Sequence, residues 1–175
     1  VSFCFFFIFT VHETGKGTVL KYFINGDGKE NNMTKEIFDL CTGNLPSLHD
    51  QVIERIDWIN NTLIIQYPNL NFSACNRTHN YSHYHSCNIF LHEIDDADVM
   101  VYVSSVHNLK LMGRIYYLQD FLHFLRTNNY RIETISFLRG YQKFAIQGAL
   151  VNSNGQYSED CWITVSTKQI MYSWE

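Results

Sequence analysis

Val99-Met100-Val101-Tyr102-Val103-Ser104-Ser105-Val106 and, a few residues on, Gly113-Arg114-Ile115-Tyr116-Tyr117-Leu118-Gln119-Asp120-Phe121-Leu122-His123-Phe124-Leu125-Arg126 decide how the rest of the chain is read. In the first run Val99, Val101 and Val103 alternate with Met100 and Tyr102, the period-two pattern of a strand buried on at least one face. Leu109-Lys110-Leu111 is a second, short extended piece, after which Gly113 lets the chain turn. Ile115, Leu118, Phe121, Leu122 and Leu125 then recur at helical spacing, so an amphipathic helix is expected over 115–126, ended by Asn128-Asn129.

Downstream the period returns to two. Long strands are expected over 130–139, 142–151 and 157–168, with a turn at Gly140-Tyr141. Phe144, Ile146 and Leu150 share one face of the middle strand. Asn154-Gly155 is the strongest short hairpin signal in the chain. Cys161, Ile163 and Val165 fall on one face of the next strand, opposite Trp162 and Thr164, and another strand begins at 170.

Upstream, Thr34 suits a helix N-cap, with Ile37, Phe38 and Cys41 on one face and Gly43 as the stop. A second helix is expected from Ser47. Asp50 sits three residues on as in an acidic capping box, and Val52, Ile53, Ile56 and Ile59 repeat at helical spacing, with Glu54, Arg55 and Asp57 on the wet side. Asn60-Asn61 ends it, and the β-branched run 62–67 is extended up to Pro68. Residues 18–32 read as an arm, and 69–92 as a disulfide-pinned polar loop whose end, 88–93, is extended.

The chain has 175 residues, enough for one domain with a single core. Its formal charge of −4 and the lack of a dense Lys/Arg run argue against nucleic acid as a partner. Val1-Ser2-Phe3-Cys4-Phe5-Phe6-Phe7-Ile8-Phe9-Thr10-Val11 is too short to span a bilayer as a helix and matches the apolar core of a secretory signal peptide. Small residues in Gly15-Lys16-Gly17 place the expected cleavage after Gly17. Residues 1–17 are therefore expected to be a signal remnant and 18–175 a single secreted domain without a membrane span. Sequons at Asn32, Asn60, Asn71, Asn76 and Asn80 agree with that compartment, and all lie in the first half. Besides Cys4, the cysteines are Cys41, Cys75, Cys87 and Cys161, an even set in a secreted chain. Three pairings are open; Cys75–Cys87 with Cys41–Cys161 is the favoured one.

Strand, small turn, apolar helix, then a meander of long antiparallel strands resembles the nuclear transport factor 2-like superfamily, in particular its small secreted nematode members. The likeness rests on 99–106, 109–126, 130–139, 142–151 and 157–174, a little over a third of the chain. It implies an α+β fold: a curved antiparallel sheet wrapped round N-terminal helices as a cone, often with an apolar pocket, and sometimes dimeric through the sheet face. A second likeness lies in Phe137-Leu138-Arg139-Gly140-Tyr141-Gln142-Lys143-Phe144-Ala145-Ile146-Gln147-Gly148, which is similar to an α2-domain strand of class I histocompatibility molecules. That family requires a long helix after these strands.

The function expected is a secreted, N-glycosylated binding or interaction domain for a small apolar ligand or a protein. An isomerase- or dehydratase-like enzyme and a histocompatibility-like immune decoy are the alternatives. Enolising chemistry needs a base and an oxyanion donor, for which Asp120, His123 and Tyr102 are candidates, with Tyr116 and Tyr117 beside them. Asp120 and His123 are three apart on the helix and within reach of one another, or else they decorate its wet face. His79, His83 and His85 are candidate metal ligands, with His92-Glu93 nearest, but a solvated glycosylated loop is the preferred reading and no metal is expected. No P-loop, dinucleotide fingerprint or nucleophile elbow occurs, so no cofactor is expected. Trp162 and Trp174 read as core or pocket-lining aromatics.

Overall fold

A computed structural model describes residues 7–14, 17–24, 33–39, 45–71, 83–107, 110–140 and 142–175. Phe7–Thr14 (β1), Gly17–Ile24 (β2) and Met33–Asp39 (β3) are strands. Val52–Ile53 (β4), Arg55–Ile59 (β5), Thr62–Tyr67 (β6) and Cys87–Leu91 (β7) follow. A 3-10 turn at Asp96–Asp98 leads into Val99–His107 (β8) and Lys110–Tyr116 (β9), and then into the helix Leu118–Asn128 (α1). Arg131–Gly140 (β10), Lys143–Val151 (β11), Tyr157–Ser166 (β12) and Gln169–Trp174 (β13) complete the order.

The strands form two antiparallel sheets. One runs β1-β2-β3-β13-β7-β6-β5, the other β4-β10-β11-β12-β8-β9. Alternation decides which side chains each sheet buries. Leu63 and Ile65 of β6, Ile89 and Leu91 of β7, and Ile170 and Tyr172 of β13 turn inward from the first sheet. Val101 and Val103 of β8, Phe144 and Ile146 of β11, and Ile163 and Val165 of β12 turn inward from the second. Together with Leu118, Phe121 and Leu122 of α1 they make one continuous apolar cluster, so the two sheets and the helix enclose a single interior.

This overturns the cone. Among the described residues neither N-terminal helix is present: Met33–Asp39, where most of the first was expected, is β3, and the segment of the second holds β4 and β5. The chain crosses from one sheet to the other at Glu54, between β4 and β5. Ile53 and Ile56, three apart like neighbours on a helix, are thus both buried because they face one interior from two different sheets. Residues 17–24 of the expected arm are β2, paired with β1 and β3. β1 itself lies in the expected signal segment, and the expected cleavage point falls at the start of β2.

In the downstream half the strands lie close to where alternation puts them, but the helix starts later. Gly113 is not a turn: it sits inside β9 opposite Ser104, and the ring of Tyr102 lies over its Cα, where any Cβ would collide. The strand therefore runs on through Ile115, which is 73% exposed and not part of the helical stripe. Leu118, Phe121, Leu122 and Leu125 are the buried stripe of α1, and Asn129 ends the helix in the left-handed conformation (φ 52°). No long helix lies over the sheet among the described residues, as the histocompatibility likeness would require; α1 has 11 residues and precedes β10.

The hairpin expected at Asn154-Gly155 joins β11 and β12. Gly155 takes φ +73°, and Asn152 Oδ1 accepts the backbone N–H groups of Asn154 and Gln156, each at 2.9 Å. A second tight hairpin was not foreseen: Ile59 pairs with Thr62 across Asn60 and Asn61, both at positive φ, the mark of a primed turn.

Cys87 and Cys161 are buried and carry free thiols; the partners expected for them, Cys75 and Cys41, fall outside the described residues, as do Asn32, Asn76, Asn80 and His79. Burial pushes the Cys161 thiol up to about 12, with the nearby Asp160 carboxylate second, and burial raises Cys87 as well. Both thiols are expected to resist alkylation at neutral pH in the folded chain and to react on unfolding, measured by mass spectrometry of iodoacetamide-treated samples. Because the folded state holds the Cys161 proton more tightly, its contribution to stability is complete below the unfolded thiol's range. It is expected to be lost as pH rises from about 9 toward 12, read from urea midpoints. A midpoint that rises over that window would refute this.

Candidate functional site

Asp120 and His123 lie on the exposed side of α1, away from the buried stripe. His123 Nε2 is 3.3 Å from the Thr127 hydroxyl of the same helix. Tyr102 is on the opposite face of the second sheet from α1: its register neighbours on that face are Ile115 and Trp162, whereas Val101 and Val103 point to the interior. The acid, base and oxyanion candidates therefore do not converge. The space between α1 and the sheet, where an apolar pocket was expected, is filled by Leu118, Phe121 and Leu122, and Phe121 meets Tyr116 and Phe124 at ring-centroid distances of 6.0 and 6.3 Å.

The histidines are likewise dispersed. His83 is exposed against Tyr84 at a centroid separation of 4.0 Å, and His85 is held by its backbone N–H donating to the Glu175 carbonyl. His92 Nδ1 pairs with the Thr62 hydroxyl at 3.2 Å. Among the described residues no three His, Cys, Asp or Glu side chains gather into a metal-holding group. Trp174 is wholly buried in the core, while Trp162 is half-buried on the outer face beside Tyr102.

Two concavities stand out. The larger, about 590 Å³, opens at one end of the sheets between the β12–β13 turn and the β7–β8 connection. Its walls carry Glu93 and Asp98 against Lys168, one net negative charge, among several neutral groups. The smaller, about 250 Å³, is chemically more specific. It lies where the end of α1 meets β4, β5 and the start of β10, over a floor of Ile53, Ile56, Leu122, Leu125 and Ile132.

Three guanidiniums stand in or beside this cleft, each placed by a different element. Arg55, on β5, points beside Asp57 because the two are separated by one residue on the same strand face, and its Nε lies 2.7 Å from Asp57 Oδ2. Arg126, in the last turn of α1, is 3.7 Å from the other Asp57 oxygen. Arg131, which opens β10, is 3.7 Å from Glu54 Oε1. Asp57 is only 9% exposed, so the sequence reading that set it on a wet helix face is corrected: it is the buried anchor of the cluster. Three arginines against two carboxylates leave one net positive charge in a chain whose overall charge is −4.

At 3.7 Å, Arg126 and Arg131 are ion-paired but not hydrogen-bonded to their carboxylates. The exposed Arg131–Glu54 pair contributes only about 0–1 kcal/mol, and Asp57 keeps Arg55 at 2.7 Å when Arg126 turns away, so either guanidinium can turn to a competing anion at small loss. Its planar fork matches a carboxylate or phosphate in two-point contact. The sequence did not reveal this cluster. Nothing in local spacing links residues 54–57 to 126–131, and the helical reading of the former pointed Arg55 and Asp57 at bulk water.

Comparison of the chain with family models, with curated proteins and with solved structures returned no match.

Proposed function

We propose that the chain is a secreted, N-glycosylated binding domain whose ligand is a small amphiphilic anion held in the cleft between α1 and β10. The observation that carries this reading is the pair of guanidiniums of Arg126 and Arg131, without hydrogen bonds to their carboxylates, at the rim of an apolar cleft. An apolar pocket with a few convergent polar groups is the usual form of a ligand site, and this one is smaller than the range for drug-sized ligands. It suits a carboxylate or phosphate head on a short alkyl chain or single ring.

The compartment rests on the sequons. Asn60 stands exposed at the β5–β6 hairpin. Asn71 is exposed too, and the buried Gln51 side chain fixes its backbone: Gln51 Nε2 donates to the Asn71 carbonyl at 2.8 Å, and the Asn71 N–H donates to Gln51 Oε1 at 2.7 Å. No helix of the described chain is long and apolar enough to cross a membrane.

Calorimetric titration with hexanoate, with hexanol as the uncharged control, tests the ligand. Hexanoate is expected to bind more tightly than hexanol, and less tightly as salt is raised. Arg126→Gln and Arg131→Gln together are expected to weaken it about tenfold or more, since a hydrogen bond to a charged group contributes about 1.5–3 kcal/mol. Equal binding of hexanol, or no effect of the double substitution, would overturn the anion site. Chain expressed in a secreting eukaryotic cell should also gain gel mobility after glycosidase treatment; an unchanged band would refute the compartment.

A further inference from the structure

Among the described residues β9 is the outermost strand of the six-stranded sheet, paired with β8 on one side only. An open edge presents a row of unpaired backbone N–H and C=O groups, and natural proteins commonly blunt such edges with charge, proline, bulges or a covering element. β9 has little of that protection. Leu111 is 71% and Ile115 73% exposed, and Met112 and Tyr117, which immediately follows the strand, are also largely exposed. Half of the large exposed apolar side chains of the described chain thus fall within these seven positions, 111–117. Its one described cation is already neutralised: Arg114 makes a two-point contact with Glu159 at 2.7 and 2.9 Å and lies over the rings of Tyr116 and Phe124.

The order of residues along the strand selects the occupant. Gly113 is the central residue of Lys110–Tyr116. If a second β9 is laid antiparallel with Gly113 facing Gly113, Leu111 falls opposite Ile115 on one face, twice over by symmetry. Met112 falls opposite Arg114 on the other face. Apolar cross-strand pairs are stabilising, and no like charges of the described side chains meet directly. A closed two-fold contact of this kind is self-complementary by construction. The glycine, needed within one chain to make room for the Tyr102 ring, also brings the two backbones together without side chains at the centre. The sequons all lie in the other half of the sequence, at Asn80 or before, so none is on this strand.

We infer that two copies of the chain associate through their β9 strands, in the Gly113-centred antiparallel register, joining the two six-stranded sheets into one. The contact is small beside a standard interface of about 1,600 Å², so the dimer is reversible and concentration-dependent. It is independent of the ligand cleft, which lies at β4, β5 and β10.

Sedimentation velocity of the full glycosylated chain, from micromolar to millimolar concentration, tests this. The wild type is expected to shift from monomer to dimer. Leu111→Lys/Ile115→Lys and Leu111→Glu/Ile115→Glu are each expected to weaken dimerisation tenfold or more, because like charges then face each other at both positions. Mixed in equal amounts, the two variants are expected to form a heterodimer, since every lysine then faces a glutamate. All four changes are at exposed sites, and an unchanged circular dichroism spectrum would verify that folding is intact. A wild type that stays monomeric at millimolar concentration, a dimer indifferent to the charges, or a mixture that fails to reassociate would each overturn the proposal. So would a monomeric chain that instead takes up a foreign extended peptide along this edge.

Discussion

Trp174→Ala is expected to lower the free energy of unfolding by about 3–5 kcal/mol, the usual range for removing a large aromatic from a packed core. Trp174 is wholly buried on β13 and stacks on Tyr172 and Tyr84 at centroid distances of 5.5 and 5.6 Å. Its indole N–H donates to Glu36 Oε2 on β3 at 3.2 Å. Truncation therefore leaves a void and also removes a donor from a partly buried carboxylate. Trp174→Phe separates the two effects. It keeps most of the packing and loses the hydrogen bond, and is expected to cost about 1.5–3 kcal/mol. Urea unfolding followed by circular dichroism checks both; an alanine variant within 1 kcal/mol of wild type would show that the side chain is not packed as described.

Helical spacing is a weaker guide where a chain turns a corner between sheets, and residues 47–61 show why. Val52, Ile53, Ile56 and Ile59 match a helix, yet Ile59 is exposed and Asp57 buried, the reverse of the helical expectation. The competing signal was on the page: β-branched residues, a tryptophan and an Asn-Asn pair favour strands and a hairpin. The downstream strands were legible because alternation holds over most of each strand, with register shifts only at Thr134/Ser136 of β10 and Leu150/Val151 of β11. Phe144 and Ile146 of β11 face Val165 and Ile163 of β12 throughout. The start of α1 was misplaced because a glycine reads as a turn unless one knows what lies over it, and Tyr102 is eleven residues away. The arginine cluster was illegible for a related reason: it exists only through the packing of α1 and β10 against β4 and β5. The dispersal of Asp120, His123 and Tyr102 follows from strand parity and helix phase, which sequence alone leaves free until the sheet's inner face is known.

Gly148→Val is expected to destabilise by about 3 kcal/mol, at the upper end of overpacking effects. Gly148 faces inward on β11, and a Cβ there would run into Ile132 Cγ2 while lying 3.0 Å from the Glu133 carbonyl oxygen and 3.5 Å from Cys161 Sγ. The carbonyl belongs to the paired backbone of β10 and cannot withdraw, so β10 and β11 must separate locally. Alanine is expected to act in the same direction with a smaller effect, about 1–3 kcal/mol. A double-mutant cycle identifies the cause. Gly148→Ala with Ile132→Ala should cost less than the sum of the single changes, with a coupling of about 0.5–3 kcal/mol, because the second change vacates the space the first invades. Strict additivity in thermal or urea unfolding would refute this packing.

The position of β13 has a consequence for how the chain acquires its structure in time. β1, β2 and β3 are sequence neighbours, as are β5, β6 and β7, and each group can form from local hairpins. Among the described strands only β13 joins them, pairing with β3 on one side and β7 on the other. During synthesis the first sheet therefore waits as two separate three-stranded pieces until residue 174 has left the ribosome. Joining them requires closure of loops more than 80 and more than 130 residues long, such as Trp174 to Cys87 and Trp174 to Thr34. Such long-range pairing belongs to the slow, millisecond-to-second class of folding reactions. Until it is complete, the facing edges of β3 and β7 are open to pairing between nascent chains.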